Sequence, residues 1–157
     1  MIDTGVDTLT GGRIKKVCNY LKDEDYFFVN YSDGVADINL DELLYFHRRH
    51  GKIATLTTVQ KHGKFGAVQL DDNQITSFKE KPLDDNWING GFFVFSEEIF
   101  DYLSDGDLSD TLELLAKENQ LMAYKHYGEW ECMDTIRDRQ VLENLWNLNK
   151  AFWKSWE

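Results

Sequence analysis

Two aspartates that each follow an apolar stretch are the first candidates for chemistry in this sequence. Asp33 comes after the aromatic and apolar residues 26–31 and precedes Gly34, and Asp134 comes after the partly apolar residues 130–133. In an open α/β sheet, ligands bind beyond the carboxyl ends of the strands. Mg²⁺ commonly binds one or two protein carboxylates together with substrate phosphates. The two positions therefore predict a site for Mg²⁺ and phosphate built from Asp33 and Asp134.

Each aspartate also has a purely structural interpretation. Asp33 and Gly34 form an Asp-Gly pair, which is common in ordinary turns. Asp134 stands where it could be the N-cap of a helix that begins near Arg137, although Thr135 is a second candidate for that cap. Taken singly, each aspartate favours the structural interpretation, whereas the two carboxylates together favour the metal site.

A lysine at the end of a predicted strand is the next candidate. Lys81 lies between Glu80 and Pro82, just after the strand predicted at residues 75–78. An ammonium group held there could meet a sugar phosphate as a compact point charge, and Glu80 could accept hydrogen bonds from sugar hydroxyls. The alternative is a solvated charged turn, which these three residues alone favour.

Two pairs of glycines could bring backbone close to a ligand. Gly90 and Gly91 open an apolar strand, and Asn89 beside them offers both a donor and an acceptor. The alternative there is a bulge or a tight bend. The segment 10–13, Thr-Gly-Gly-Arg, precedes a predicted helix, where amides and Arg13 could bind an anion. The alternative is a loop that simply enters the helix.

The residues around these candidates alternate between strand and helix patterns. Strands are predicted at residues 26–31, 53–59, 66–70, 75–78, 91–95 and 121–127, with 66–70 and 75–78 as a hairpin. Helices are predicted at residues 14–21, 39–50, 96–103, 109–118 and 137–148, with Asn39 and Ser96 as N-caps and Gly51 as a stop. The last helix is expected to turn inward Val141, Leu142, Leu145, Trp146 and Leu148. The pattern predicts one α/β domain over residues 1–157, with a mixed sheet and flanking helices.

Charge and composition exclude several classes of protein. The chain has 157 residues with 17 Lys+Arg against 28 Asp+Glu, a net charge of −11, which argues against binding to polymeric nucleic acid. The sequence has no apolar run of about 18 residues, so no membrane span is predicted. Cys18 and Cys132 form no disulfide framework, and the N-terminus does not resemble a signal peptide. A reducing, cytoplasmic compartment is expected.

Histidines and tryptophans are expected to have structural roles. The four histidines have no spacing typical of a metal site. His47 and His50 are expected on the surface of the second helix. Trp146, Trp153 and Trp156 indicate packing or a contact between copies of the chain, so a homo-oligomer is expected.

In combination, these segments resemble the sugar-phosphate nucleotidyltransferases, in particular those that make CDP-glucose. The resemblance is carried, in order along almost the whole chain, by residues 3–5, 10–13, 31–37, 46–52, 63–66, 80–82, 88–94, 121–126, 133–138, 142–146 and 153–154. Each segment is weak alone, but the ordered set is specific. The resemblance implies the rear portion of a Rossmann-like nucleotidyltransferase domain.

The resemblance also implies a reaction and roles for individual residues. A phosphate oxygen of glucose 1-phosphate would join the α-phosphorus of CTP and release pyrophosphate, with Mg²⁺ as cofactor. The implied catalytic and metal-binding residues are Asp33 and Asp134, with Lys81 also catalytic. The implied nucleotide contacts are Thr8, Arg13 and Ser32, and the implied sugar-phosphate contacts are Glu80, Lys81, Asn89 and Gly90.

The sequence also departs from the family pattern. Family members begin with Gly-Gly-x-Gly-Thr-Arg and a following catalytic lysine, and neither is present here. The chain is therefore expected to correspond to the rear of such a domain and to show little or no turnover by itself. Ser32 stands where the family usually has glycine, which could crowd the nucleotide. The alternatives are an inactive remnant that binds ligand or other subunits, and a related enzyme that uses another nucleotide.

Overall fold

A four-stranded mixed sheet is the centre of the protein, as seen in a computed structural model that describes residues 1–61, 67–79 and 86–156. The strands are β1 Tyr26–Asn30, β2 Gly34–Ala36, β3 Ala54–Val59, β4 Ala67–Asp71, β5 Gln74–Lys79, β6 Ile88–Ser96, β7 Leu121–Lys125 and β8 Trp130–Cys132. The helices are α1 Thr10–Lys16, α2 Leu40–His50, α3 Leu108–Lys117 and α4 Ile136–Asn147. Short 3₁₀ turns cover Cys18–Tyr20 and Glu97–Asp101.

The order and direction of the strands place several strand ends at one edge of the sheet. The order is β1-β6-β3-β7, with β6 antiparallel to both β1 and β3, and β3 parallel to β7. The carboxyl ends of β1, β3 and β7 therefore lie together, beside the start of β6. This edge is called the carboxyl edge below. Two antiparallel pairs, β2–β8 and β4–β5, lie outside the central sheet.

Most of the predicted elements are confirmed. The hairpin is β4–β5, and the predicted α/β fold with a mixed sheet and flanking helices is present. Asn39 caps α2 through its side chain, which accepts hydrogen bonds from the amides of Asp41 and Glu42. Gly51 ends the helix with a φ of 61°, in the left-handed region that glycine adopts most easily.

Two helix predictions need correction. The segment 96–103 forms only a 3₁₀ turn, and the Ser96 hydroxyl contacts His47 instead of capping it. The first helix begins at Thr10, so Gly11 and Gly12 lie within its first turn and not in a loop before it. Gly12 donates its amide to the carbonyl of Gly106 at 3.3 Å, and a Cβ on Gly11 would lie 2.9 Å from that same oxygen. These glycines allow α1 to pack closely against the chain before α3.

The core lies between the central sheet and the helical segments that cover it. Phe93 and Phe95 are fully buried on β6, and their rings stack at 5.5 Å. The burial expected for α4 is wrong, since Val141, Trp146 and Leu148 are 41%, 51% and 65% exposed. The other two residues expected to turn inward, Leu142 and Leu145, are only partly buried. In the described part of the chain, no helix is long and apolar enough to cross a bilayer.

The expectation that His47 and His50 lie on the surface is also wrong. His47 is 1% exposed and belongs to a closed hydrogen-bond circuit. The Lys52 amide donates to His50 Nδ1 at 2.9 Å, so the neutral ring donates from Nε2 to Thr55 Oγ1 at 2.7 Å. Thr55 then donates to His47 Nδ1 at 2.8 Å, and His47 Nε2 donates to Ser96 Oγ at 3.0 Å. Ser96 closes the circuit by donating to the carbonyl of Lys52 at 3.5 Å.

This circuit keeps both imidazoles neutral. Burial, with a smaller contribution from the nearby His50, lowers the pKa of His47 to about 4. Burial also lowers the pKa of His50, with a smaller contribution from Lys52. The spacing of Leu43, His47 and His50 places all three on one side of α2, and Leu43 is fully buried. That spacing was a signal that the ring of His47 faces the sheet.

Candidate functional site

The β2–β8 ribbon places the backbones of the two candidate aspartates at neighbouring positions beside the carboxyl edge. The ribbon pairs Gly34 with Cys132 in antiparallel register. The pairing extends one step further, because the Met133 amide donates to the carbonyl of Asp33 at 2.8 Å. Asp33 and Asp134 therefore stand one position apart across the ribbon, although they are distant in sequence. Both residues are exposed, so their carboxylates are accessible to a ligand.

The capping question near Asp134 is settled in favour of its neighbour. Thr135 is the N-cap of α4, and its side chain accepts the amide of Asp138 at 3.2 Å. The Asp138 carboxylate accepts the Thr135 amide at 3.0 Å in return. Because this capping box satisfies the start of the helix, Asp134 is not used as the cap. Its carboxylate accepts a hydrogen bond from the thiol of Cys132 at 3.2 Å.

Asn89 and Gly90 lie at the same edge, next to the ribbon. The Asn89 side chain accepts the amide of Gly91 at 2.8 Å, and Trp130 donates its indole N–H to the Gly90 carbonyl at 2.8 Å. The β3–β6 register shifts at this point, so the bulge offered as the alternative interpretation is present. Tyr31 lies beside this bulge, since its amide donates to the Gly91 carbonyl at 2.8 Å.

Gly91 makes this bulge possible, and its replacement by alanine is expected to destabilise the protein by about 2–3 kcal/mol. Its φ is +77°, and a Cβ would lie 3.0 Å from the Tyr31 ring. Gly51→Ala is the matched control, because its φ is +61° but nothing lies within 4 Å of the added Cβ. That control is expected to cost only about 1 kcal/mol. Urea unfolding of both variants measures the difference, and equal costs would contradict a packing role for Gly91.

The predicted nucleotide contacts Thr8 and Arg13 share one partner. Arg13 donates to Thr4 Oγ1 at 2.8 Å and to the Val6 carbonyl at 3.1 Å, and Thr8 donates to the Thr4 carbonyl. Lys16 donates to Thr8 Oγ1 at 2.8 Å, so a cation lies beside these residues. Thr8, Arg13 and Lys16 thus gather around the segment 4–8.

Tyr31 connects this group to Asp33. Burial raises the pKa of the Tyr31 hydroxyl, the Asn89 hydrogen bond lowers it, and the charges of Asp107 and Asp33 raise it again. Asp107 in turn accepts a hydrogen bond from Thr10 at the start of α1, at 3.1 Å. The start of α1 therefore lies on the same side of the protein as Asp33 and Asn89. Ser32 lies between Tyr31 and Asp33 and is exposed.

Lys61 is a member of this edge that the sequence analysis missed. It follows β3, and its ammonium contacts three consecutive residues that form β8. Nζ lies 3.3 Å from Glu131 Oε2, 3.4 Å from Cys132 Sγ and 5.1 Å from the centre of the Trp130 ring. The rule that had pointed to Asp33, a polar side chain after a buried strand, applied equally to Lys61. Glu80 and Lys81 lie outside the described residues.

The electrostatics of this group favour fixed protonation states. Burial lowers the pKa of Lys61, but Glu131 and Cys132 raise it more, so the net direction is upward and the ammonium is charged. Burial and the bond to Asp134 raise the pKa of the Cys132 thiol, against a smaller opposite effect of Lys61. At neutral pH, Lys61 is therefore a donor and Cys132 carries its proton.

The donor set at Asp33 and Asp134 fits a hard cation that substrate completes. Among the described residues, no group of three or more His, Cys, Asp or Glu could hold a metal ion. Carboxylates from these two residues alone would leave most of an octahedral shell open. This matches Mg²⁺, which is usually held by one or two carboxylates with waters and substrate phosphates.

Comparison with known proteins shows the family to which the chain belongs. The chain matches the nucleotidyl transferase family over residues 9–150 and belongs to that family. Its fold is similar to a structure described as a glucose-1-phosphate thymidylyltransferase from Bacillus anthracis, with a TM-score of 0.69 and 15% identity. That similarity covers 90% of this chain and 62% of the other.

Two curated relatives are similar in sequence. Over 162 residues the chain is 46% identical to a glucose-1-phosphate cytidylyltransferase from Salmonella typhi, covering 100% of this chain and 63% of that protein. It is 35% identical to the catalytic subunit beta of a mannose-1-phosphate guanylyltransferase from Xenopus tropicalis, covering 79% of this chain and 36% of that protein. The chain thus spans less than two thirds of the length of either relative.

Proposed function

We propose that this chain takes part in transfer of a cytidylyl group from CTP to glucose 1-phosphate, giving CDP-glucose and pyrophosphate. The observation that carries the proposal is the pairing of β2 with β8, which sets the backbones of Asp33 and Asp134 one position apart. The choice of CTP and glucose 1-phosphate rests on the 46% identity to the Salmonella typhi cytidylyltransferase, against 35% for the guanylyltransferase.

In the proposed reaction, a phosphate oxygen of glucose 1-phosphate attacks the α-phosphorus of CTP. The bond from that phosphorus to the β-phosphate side breaks, and pyrophosphate leaves. The protein contributes mainly by positioning the two anions and by compensating their charge. Asn89, Gly90, Glu80 and Lys81 would hold the sugar phosphate.

The nucleotide side of the proposed site consists of Thr8, Arg13 and Ser32. Arg13 and the neighbouring Lys16 give this side positive charge in a chain of net charge −11. Such local cations matter because the protein as a whole repels polyanions. Asp33 and Asp134 would hold Mg²⁺, which when bound supplies positive charge to the phosphate oxygens.

Ligand-dependent stability tests this function directly. With Mg²⁺ present, CTP and glucose 1-phosphate are expected to raise the melting temperature by several degrees, because a ligand at about 100 times its Kd stabilises by about 2.7 kcal/mol. UTP, TTP, ATP and mannose 1-phosphate at equal concentration are the controls and should have smaller effects. A coupled assay for pyrophosphate release then measures turnover. Absence of stabilisation by any nucleotide or sugar phosphate would refute the proposal.

A second candidate function is a subunit-interaction module without catalysis. The exposed apolar side chains of Val141 and Trp146 on α4 and of Leu148, its C-cap, favour this alternative. Sedimentation velocity with and without ligands separates the two functions. Concentration-dependent self-association without any effect of CTP or glucose 1-phosphate would support the second candidate.

A further inference from the structure

Lys61, Cys132 and Asp134 form a chain of hydrogen bonds that ends on a proposed metal ligand. The Lys61 ammonium donates to Cys132 Sγ at 3.4 Å, and the Cys132 thiol donates to Asp134 Oδ2 at 3.2 Å. Lys61 also pairs with Glu131 at 3.3 Å, with the two side chains 27% and 34% exposed. The lysine belongs to the end of β3, whereas its partners belong to β8.

The direction of this chain follows from the chemistry of the groups. An ammonium has three donors and no acceptor, a thiol has one hydrogen, and a carboxylate only accepts. Lys61 therefore occupies the acceptor side of the sulfur. The single thiol hydrogen is left to point at Asp134.

We propose that Lys61 and Cys132 are positioning residues that fix the Asp134 carboxylate for the divalent cation. The thiol holds Oδ2 and restricts rotation of the carboxylate, which leaves Oδ1 with both lone pairs free of this bond. Outer hydrogen bonds of this kind orient metal ligands in many proteins. This inference rests on the proposed function, because that function makes Asp134 a metal ligand.

Lys61 acts through Cys132 and does not bind the substrate itself. Its ammonium already contacts a carboxylate, a sulfur and an indole face, so it has no donor directed to a phosphate. Its contacts also tie the end of β3 to the whole of β8. Loss of the ammonium would therefore release both the thiol and the ribbon that carries Asp134.

The hydrogen bond itself is tested without any metal. In a Cys18→Ala background, Cys132 gives the only S–H stretching band in the infrared spectrum, since the chain has two cysteines. The band is expected at the low frequency of a hydrogen-bonded thiol, and to move to higher frequency in Asp134→Ala. A band that does not move overturns the inference.

The consequence for the metal is tested with Mn²⁺ alone, measured by the loss of the free Mn²⁺ signal in electron paramagnetic resonance. The difference in Mn²⁺ binding between the wild type and Asp134→Asn measures this site alone, because the rest of the acidic surface is the same in both proteins. Cys132→Ala is expected to weaken that binding about tenfold, while Cys132→Ser, which keeps a donor and an acceptor, retains most of it. Lys61→Met is expected to weaken Mn²⁺ binding, as Cys132→Ala does. Lys61→Arg keeps a cation at this position and is expected to retain binding.

Controls and outcomes separate the inference from the function on which it rests. Cys18→Ala and Lys117→Met, a replacement of an exposed lysine on α3, should bind Mn²⁺ like the wild type. If the wild type and Asp134→Asn bind equally, the proposed metal site is wrong. If they differ but Cys132→Ala matches the wild type, only the positioning role is wrong. Equal losses in Cys132→Ser and Cys132→Ala also overturn that role.

Discussion

Asp33→Asn and Asp134→Asn are each expected to weaken Mg²⁺-dependent binding of CTP and glucose 1-phosphate by roughly a hundredfold, about 2.8 kcal/mol. The reason is that each change removes one of the two carboxylates proposed to hold the metal ion. Isothermal titration of the ligands in the presence of Mg²⁺ measures the loss. Glu113→Gln is the matched control, because Glu113 is an exposed carboxylate on α3.

The same two substitutions, which weaken ligand binding, should not lower the stability of the metal-free protein. Each aspartate adds a negative charge to a chain of net charge −11, so neutralising one relieves repulsion. The asparagine variants are therefore expected to melt at the same temperature as the wild type or slightly higher. Normal ligand affinity in both variants would contradict the assignment of the two aspartates.

Acidification is expected to remove about 3 kcal/mol of stability through His47 alone. Its pKa is lowered from 6.5 to about 4 in the folded protein, mainly by burial. Because the unfolded chain binds the proton first, the free energy of unfolding begins to fall once the pH drops below about 6.5. The loss of stability is nearly complete near pH 4. Urea unfolding at pH 7, 5.5 and 4 measures this dependence.

His47→Gln is the variant that isolates this effect. Glutamine can donate and accept hydrogen bonds but does not titrate. Carboxylates near His47, namely Asp25, Glu97 and Glu98, line a neighbouring pocket of about 370 Å³ and are present in both proteins. Their contribution to acid unfolding cancels in the comparison. If the variant loses as much stability as the wild type between pH 7 and pH 4, the buried imidazole is not responsible.

Sequence patterns predicted the helices and strands far better than how those elements pair and pack with one another. The strands of the central sheet, the β4–β5 hairpin and α2 with its cap at Asn39 follow from local periodicity and capping chemistry. The ribbon strands β2 and β8 have three residues each, which is too short for any period to be visible. The apolar stripe of α4 indicated a helix, but whether a stripe is covered depends on what the rest of the fold places against it.

The candidate site shows the same division. Asp33 and Asn89 could be placed near the ends of strands, because strand ends are visible in the sequence. Their meeting with Asp134 could not be derived from spacing, since it depends on pairing between distant segments. The same rule placed Lys61 at the end of a strand, but its partners Glu131 and Cys132 belong to the ribbon, which no local pattern reveals.

The brevity of the β2–β8 ribbon has a consequence for how the site responds to its ligands. A pairing of three residues on each side has little stability of its own. Opening it would separate the two aspartates, so any ion or phosphate that engages both must also favour the closed pairing. Ligand capture and local folding are then two halves of one linked equilibrium, in which the least stable part of the sheet system sets the affinity of the site.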